Sequence, residues 1–154
     1  MKIKLLITIA VIAAGIYNAK AQASKTPDYK LAAQLQIIIT KVNMPVDSAA
    51  VYLDDFQKME ETKPTETVFK SRLADGVYII FQKDGAGKVA LIVTSMPAGF
   101  LTTIQKFIAM MGMVASGTAA PPGYTAYATP RYAAFINPEI KPGTLSLVMM
   151  QGGK

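Results

Sequence analysis

The stretch TVFKSRLADGVYIIFQKDGAGKVALIVTS, residues 67–95, contains three largely apolar segments separated by two turn signals. The first segment, TVFKSRL, alternates between two sides, which is typical of a half-buried strand. ADG at 74–76 and DGAG at 84–87 reverse the chain, so that VYIIFQK and KVALIVTS each run back beside the preceding segment. The stretch predicts a three-strand antiparallel meander over about 66–95, and this meander decides the fold class.

Helical patterns precede the meander. A threonine, a proline and an aspartate suit the start of a helix predicted over 27–41, although its end, LQIIITKV, also suits a strand. A second helix is predicted within 46–64, because Tyr52, Phe56 and Met59 recur at helical spacing. Both helices are expected to place an apolar stripe on the sheet.

The rest of the chain completes an α+β domain. A third helix is predicted over about 98–115, and a final strand, TLSLVMM, over 144–150. The Pro-, Gly- and Tyr-rich segment 117–143 is interpreted as a long loop with one short strand near 132–136. These patterns predict a single domain over 24–154, with an antiparallel sheet of four to five strands and two or three helices packed on one face.

The N-terminus has the layout of a secretory signal peptide. Lys2 and Lys4 precede an uncharged apolar run over 5–16, and two A-x-A patterns end at Ala21 and Ala23. The run is shorter than the roughly 17 to 25 residues that span a bilayer. We therefore expect removal of 1–23, with cleavage after Ala21 as the alternative. This predicts an exported protein, periplasmic or extracellular, that touches a membrane only through the signal peptide before cleavage.

Composition excludes most catalytic chemistry. The chain has no histidine and no cysteine, which removes Ser-His-Asp and Cys-His catalysis, ordinary zinc sites and thiol redox chemistry. Three of the 16 Lys and Arg residues lie in the signal peptide, leaving 13 against 10 acidic residues with no basic run. This balance gives no support for nucleic-acid binding. We expect no cofactor, no metal and no enzymatic activity.

Carboxylates are the remaining route to catalysis. A pair of them facing each other across a cleft could hydrolyse glycans, which makes a carboxylate-dependent hydrolase our third functional hypothesis. Four acids form a cluster on the second predicted helix, where a solvated charged face explains them. The cluster is Asp54, Asp55, Glu60 and Glu61, and the candidates considered outside it are Asp75, Asp84 and Glu139.

The third predicted helix carries more apolar surface than one sheet can cover. Its main stripe faces the sheet, and its second half adds Ala109, Met110 and Met113 on the opposite side. The segment 118–142 could fold over this back; a protein partner or an apolar ligand could cover it; or the helix could associate weakly with a membrane. The main stripe is Leu101, Ile104, Phe107, Ile108, Met111 and Val114.

A second candidate binding stretch is PPGYTAYATPRY, residues 121–132, which brings three tyrosines close to one arginine. Tyrosine and arginine are enriched in binding surfaces, although tyrosines also pin long loops to a core.

Our leading hypothesis is an exported, non-enzymatic binding protein, a subunit or adaptor of a bacterial envelope or extracellular assembly. It would contact a protein partner, or a second copy of itself, through the third helix and the tyrosine-rich loop. The alternative is a carrier of an apolar small molecule or lipid, which requires a cavity of about 300 Å³ or more. The predicted contact residues are Met110, Met113, Tyr124, Tyr127, Arg131 and Tyr132.

Overall fold

A computed structural model describes residues 28–59, 63–72, 74–117 and 119–152. The predicted signal peptide, 1–23, lies outside these ranges. The elements in chain order are α1 (Asp28–Ile39), α2 (Val46–Ala50), β1 (Phe56–Lys58), β2 (Glu66–Ser71), β3 (Tyr78–Lys83), β4 (Val89–Pro97), a 3-10 turn (Ala98–Phe100), α3 (Leu101–Met110), β5 (Val114–Ala115), β6 (Thr125–Ala128), β7 (Tyr132–Lys141) and β8 (Thr144–Gln151).

The strands form one open antiparallel sheet in the order β1-β2-β3-β4-β8-β7-β6-β5. The described chain is therefore mostly β, and the prediction of four to five strands was wrong, because the sheet has eight. Three of the additional strands, β1, β5 and β6, are short and form the two outer parts of the sheet. Short strands leave too few alternating positions to stand out in a sequence.

The meander is confirmed as β2, β3 and β4. Ile80 at the centre of β3 lies opposite Val68 on one side and Val93 on the other. The turn between β3 and β4 is closed by Asp84, whose carboxylate accepts hydrogen bonds from two backbone N–H groups of the turn, each at 2.9 Å. Alternation and turn chemistry agree here, which is why the sequence predicts this part of the sheet correctly.

The second predicted helix is wrong beyond Ala50. The chain turns after α2 and enters β1, where Phe56 pairs with Ser71 of β2. Tyr52 is 42% exposed and Phe56 is buried, so the residues at helical spacing do not share one face. Pairing along the edge of β2 gives the main chain of β1 hydrogen-bond partners and buries Phe56, and this non-local gain outweighs the local helical pattern.

The third predicted helix ends five residues early. Gly112 has a φ of 63°, in the left-handed region where glycine is favoured. Its N–H donates to the carbonyl of Ala109 at 3.0 Å, and the N–H of Met113 donates to the carbonyl of Ile108 at 3.1 Å. These two bonds form the Schellman arrangement that terminates helices. Val114, predicted to lie on the buried stripe, instead begins β5 and is 69% exposed.

The segment 117–143 is not the long loop that its composition suggested. The strand predicted over 132–136 is confirmed but continues to Lys141, and β6 precedes it. The final strand is confirmed as β8. Pro130 lies in the turn between β6 and β7, and Pro138 lies where the pairing of β7 with β8 shifts. Prolines at a turn and a bulge are compatible with strands on either side.

Both faces of the sheet are packed. One face and all three helices form a first cluster, in which Leu35 of α1, Phe107 of α3 and Leu147 of β8 are fully buried. The other face carries a second cluster that runs across β2, β3, β4, β8 and β7. Its central row, each residue at most 2% exposed, is Val68, Ile80, Val93, Val148 and Phe135.

The segment before β6 packs on the second cluster, since Ala120 and Tyr124 contact it there. This part of the segment 118–142 therefore does not cover the back of α3. The later part, at 129–132, lies near Met111, but Met110 stays 48% exposed, so the segment does not hide the back of the helix as a whole. Among the described helices, none has the length and apolar character required to cross a bilayer. The apolar surface on the back of α3 therefore needs an explanation other than a membrane-spanning helix.

Candidate interaction surface

A groove of about 280 Å³ opens between the C-terminal end of α3 and the turn that joins β6 to β7. Met111 forms its helical side, held in place by the N–H of Met111 donating to the carbonyl of Phe107 at 3.0 Å. Residues of the turn form the other side. The residues that line the groove are Met111, Thr129, Pro130, Arg131 and Tyr132.

The turn is held by its own threonine. The Thr129 hydroxyl accepts hydrogen bonds from the N–H groups of Arg131 and Tyr132, at 3.2 and 3.0 Å. The N–H of Thr129 in turn donates to the carbonyl of Tyr132 at 2.8 Å. A threonine that bonds nearby backbone groups stabilises a turn, so the groove wall is preorganised.

The end of β8 supports the same turn from the neighbouring strand. The N–H of Gly152 donates to the carbonyl of Arg131 at 2.8 Å. A Cβ at Gly152 would lie 3.1 Å from the carbonyl carbon of Arg131 and from the nitrogen of Tyr132, so a larger residue would require the backbone to move by a few tenths of an ångström. The Asn43 side chain, from the α1–α2 loop, donates to the Gln151 side chain beside it. The groove wall is thus tied to the sheet and to the helical layer.

An exposed apolar side chain directly precedes Met111 of the groove. Met110 is 48% exposed at the end of α3. Met111 and Tyr132 are half-buried against the first cluster. Val114 is 69% exposed at the start of β5, but it lies opposite Ala128 in a row that belongs to the second face of the sheet. We call Met110, Met111, Arg131 and Tyr132 together the α3-end surface.

Arg131 supplies the charge of the α3-end surface. It is exposed, and no carboxylate of the described residues lies within ion-pair distance of its guanidinium. An ion pair that is formed, between Lys63 and Glu66 at 3.5 Å, belongs to β2, near the opposite edge of the sheet. The surface therefore presents a cation beside apolar side chains.

The six predicted contact residues divide into three pairs. Met110 and Arg131 are exposed, and Tyr127 and Tyr132 are half-buried against the first cluster. The third pair is buried: Met113 is 7% exposed in the first cluster, and Tyr124 is 8% exposed in the second. The structure brings Arg131 and Tyr132 together in the groove and places Tyr124 on the opposite face of the sheet.

One residue of the surface was missed as a contact residue. Met111 was assigned to the buried stripe of a helix that was extended to 115. Gly112 could have corrected the predicted end of the helix, because a glycine directly after an apolar helical run is typical of a helix end.

The three candidate carboxylates outside the predicted charged helix, Asp75, Asp84 and Glu139, do not form a facing pair. Asp75 and Asp84 lie in turns at opposite ends of β3, roughly 20 Å apart along the strand. Glu139 lies on β7, three strands away from β3, or about 14 Å. Glycoside hydrolysis requires two carboxyl groups within about 10 Å, and these three do not meet that condition.

The acids of the predicted charged helix lie elsewhere. Asp54 and Asp55 are exposed in the turn that leads into β1, and not on a helix. Glu60 and Glu61 lie outside the described residues. Asp54 and Asp55 are therefore solvated, as predicted, but the prediction that they lie on a helical face was wrong.

A group of hydroxyls is buried on the second face. Ser95 and Ser146 lie opposite each other on β4 and β8, and the Tyr124 hydroxyl faces Ser146. None of these three oxygens has a partner in hydrogen-bond geometry among the described residues. Burial raises the pKa of Tyr124 above its ordinary value, and its contact with Ser146 offsets part of that rise.

Tyr124→Phe should make stability less sensitive to alkaline pH. A raised pKa means that the folded state keeps the phenol proton more tightly than the unfolded chain does. The associated stability is therefore complete below about pH 10 and is lost as the pH rises through the folded-state pKa. We expect the free energy of unfolding of the phenylalanine variant to fall less steeply above about pH 10. Urea titrations at several alkaline pH values measure this.

Tyr52→Phe, at an exposed tyrosine, is the control for the same titrations. At neutral pH, Tyr124→Phe should be neutral or stabilising by up to about 1 kcal/mol, because it removes an unpaired buried hydroxyl. Identical alkaline slopes for Tyr124→Phe and the unaltered chain would show that Tyr124 is solvated.

No protein-family model, no curated protein and no solved structure matches this chain. A fold alone does not specify a function, since one architecture supports many. The functional proposal therefore depends on the chemistry of the α3-end surface.

Proposed function

We propose that the protein is an exported, non-enzymatic binding subunit or adaptor of a bacterial envelope or extracellular assembly. It contacts its protein partner through the α3-end surface. The observation that carries the proposal is the exposure of Met110 next to a preorganised groove whose cation, Arg131, has no carboxylate partner among the described residues.

The chemistry of the surface suits protein binding. Methionine side chains are flexible and polarizable, so they adapt to irregular partners. Covering Met110 would remove its side chain from water and contribute about 1 kcal/mol. Arginine and tyrosine are among the residues that most often dominate binding energy at interfaces. Arg131 and half-buried Tyr132 supply both next to the apolar side chains.

Export is the second part of the proposal. Its support is the layout of residues 1–23 and the absence of cysteine, which means that the mature chain needs no disulfide to fold. The sheet has a packed cluster on each face, which is sufficient apolar burial for a domain of this size.

Met110→Asp should reduce partner association at least about tenfold, because a carboxylate would have to be buried against the partner. A photocrosslinking residue at position 110 in the native host should capture a specific protein, and the mature mass should correspond to a start at Ser24. Thr102 is exposed near the start of α3, so a crosslinker at 102 and Thr102→Asp are the matched controls. Both aspartate variants should keep their stability within about 0.5 kcal/mol.

The proposal fails if association is unchanged by Met110→Asp and by Arg131→Glu while both variants remain folded. Native mass spectrometry of the gently extracted protein gives the other contradictory outcome. A chain that carries a lipid or other small molecule, and no protein, would favour the carrier.

A further inference from the structure

Among the described strands, β5 is the edge of the sheet nearest the turn that carries Arg131, and some of its main-chain groups have no strand beside them. It pairs with β6 through Val114 and Ala115, and the N–H of Ser116 donates to the carbonyl of Ala126 at 2.9 Å. In an antiparallel ladder, bonded pairs alternate with pairs whose N–H and C=O groups point away. Since Ser116 is bonded to β6, the N–H and C=O of Ala115 point away from the sheet.

This edge is only two residues long, which limits strand addition, but it lacks the other features that usually prevent it. The sequence VASG over 114–117 has no charge and no proline, and Val114 and Ala115 are both exposed. Natural sheets protect their edges with very short strands, lysine, proline or bulges. The opposite edge, β1, carries exposed Gln57 and Lys58 in its three residues. The two edges of the sheet therefore differ in their capacity to accept another strand.

The groove and Arg131 lie at one end of this open edge. Val114 is opposite Ala128, the last residue before the turn that carries Arg131. A strand added along β5 would pass this turn. Its side chains would alternate between the two faces, so one of them could enter the groove at Met111 and another could reach the guanidinium.

We propose that the partner supplies an extended segment that adds to β5 as a further antiparallel strand, with an apolar side chain in the groove and a carboxylate on Arg131. This inference rests on the proposed function, since it specifies the kind of partner that the α3-end surface accepts. Main-chain bonds supply affinity in strand addition, and side-chain pockets supply specificity.

A second copy of this chain fits the same edge less well. In antiparallel self-pairing, the Arg131 of one copy would face the chain that follows β5 in the other. That stretch, SGTAAPPG over 116–123, contains no acidic residue. The cation would gain no partner, whereas an acidic segment of another protein would supply one.

The test uses the full mature chain and a phage-displayed library of random dodecapeptides. Enriched sequences should alternate apolar residues and carry at least one Asp or Glu. Fluorescence anisotropy with the synthetic peptides should show at least about tenfold weaker binding to Arg131→Glu. Lys88→Glu, a charge reversal in the exposed β3–β4 turn, should bind as the unaltered chain does.

Backbone chemistry separates strand addition from other modes of binding. N-methylation of the peptide at one alternate set of amides should weaken binding at least about tenfold, while methylation of the other set should have little effect. Hydrogen exchange followed by NMR should show the Ala115 amide at least about tenfold slower with peptide bound.

Three outcomes would overturn the inference. The first is a library that yields no binder, and the second is a binder insensitive to both methylation patterns. The third is a homodimer whose formation alone protects Ala115. If crosslinking from position 110 still captures a partner in any of these cases, the proposed function stands and only strand addition is wrong.

Discussion

Phe135→Ala should lower the free energy of unfolding by about 3 to 5 kcal/mol. Phe135 is 2% exposed in the second cluster, on the face of the sheet opposite the helices. It lies opposite Ala126 on β6 and Val148 on β8. Removing its ring would leave a cavity that the neighbouring strands, held by their ladders, could fill only in part. Urea denaturation of the mature chain measures the change.

Val51→Ala is the matched control, since Val51 is 66% exposed and should cost less than about 0.5 kcal/mol. The comparison decides whether the second face is a true core in solution. A loss below about 1 kcal/mol for Phe135→Ala would mean that this face is open to water. In that case, the second face would be a better candidate than the α3-end surface for the partner contact.

The sequence predicted the elements whose patterns are local. In β3, Ile79 and Phe81 face the helices while Ile80 faces the second cluster, so the centre of the strand is apolar at three successive positions on a sheet buried on both faces. The two turn signals still located its ends. β8 was found for the same reason, because an apolar run follows the Pro-Gly turn at 142–143.

Elements that depend on non-local pairing were missed. β1 exists because it lies beside β2, and nothing within FQK distinguishes a strand from a helical turn. In β6, buried Ala126 packs in the second cluster, but alanine carries little strand signal. Single-sequence patterns report local preference, and these two segments are decided by what lies next to them.

The sequence selected some of the residues that line the groove and not others. Arg131 and Tyr132 were selected from composition, and the structure places both in the groove. The methionines were selected from helical periodicity, and that selection depended on where the helix ends. In a helix extended to 115, residues 110 and 113 share one face. The turn at Gly112 separates them instead, so that Met110 stays exposed and Met113 enters the core.

Met113→Asp should therefore lower the free energy of unfolding by about 3 to 5 kcal/mol, since the carboxylate would be buried in an apolar cluster without a partner. Met113 is 7% exposed, and its N–H closes the end of α3 on the carbonyl of Ile108. Thermal and urea unfolding measure the loss. Met113→Leu, which keeps the apolar volume, should cost less than about 1.5 kcal/mol.

The contrast between the two methionine variants tests the surface and the fold together. Met110→Asp should leave stability nearly unchanged and weaken association, whereas Met113→Asp should weaken association only as far as it unfolds the protein. The Met113→Leu variant should then bind as the unaltered chain does. If Met113→Asp instead stays as stable as Met110→Asp, α3 continues past Gly112 in solution, and Met113 belongs to the contact surface that periodicity alone predicts.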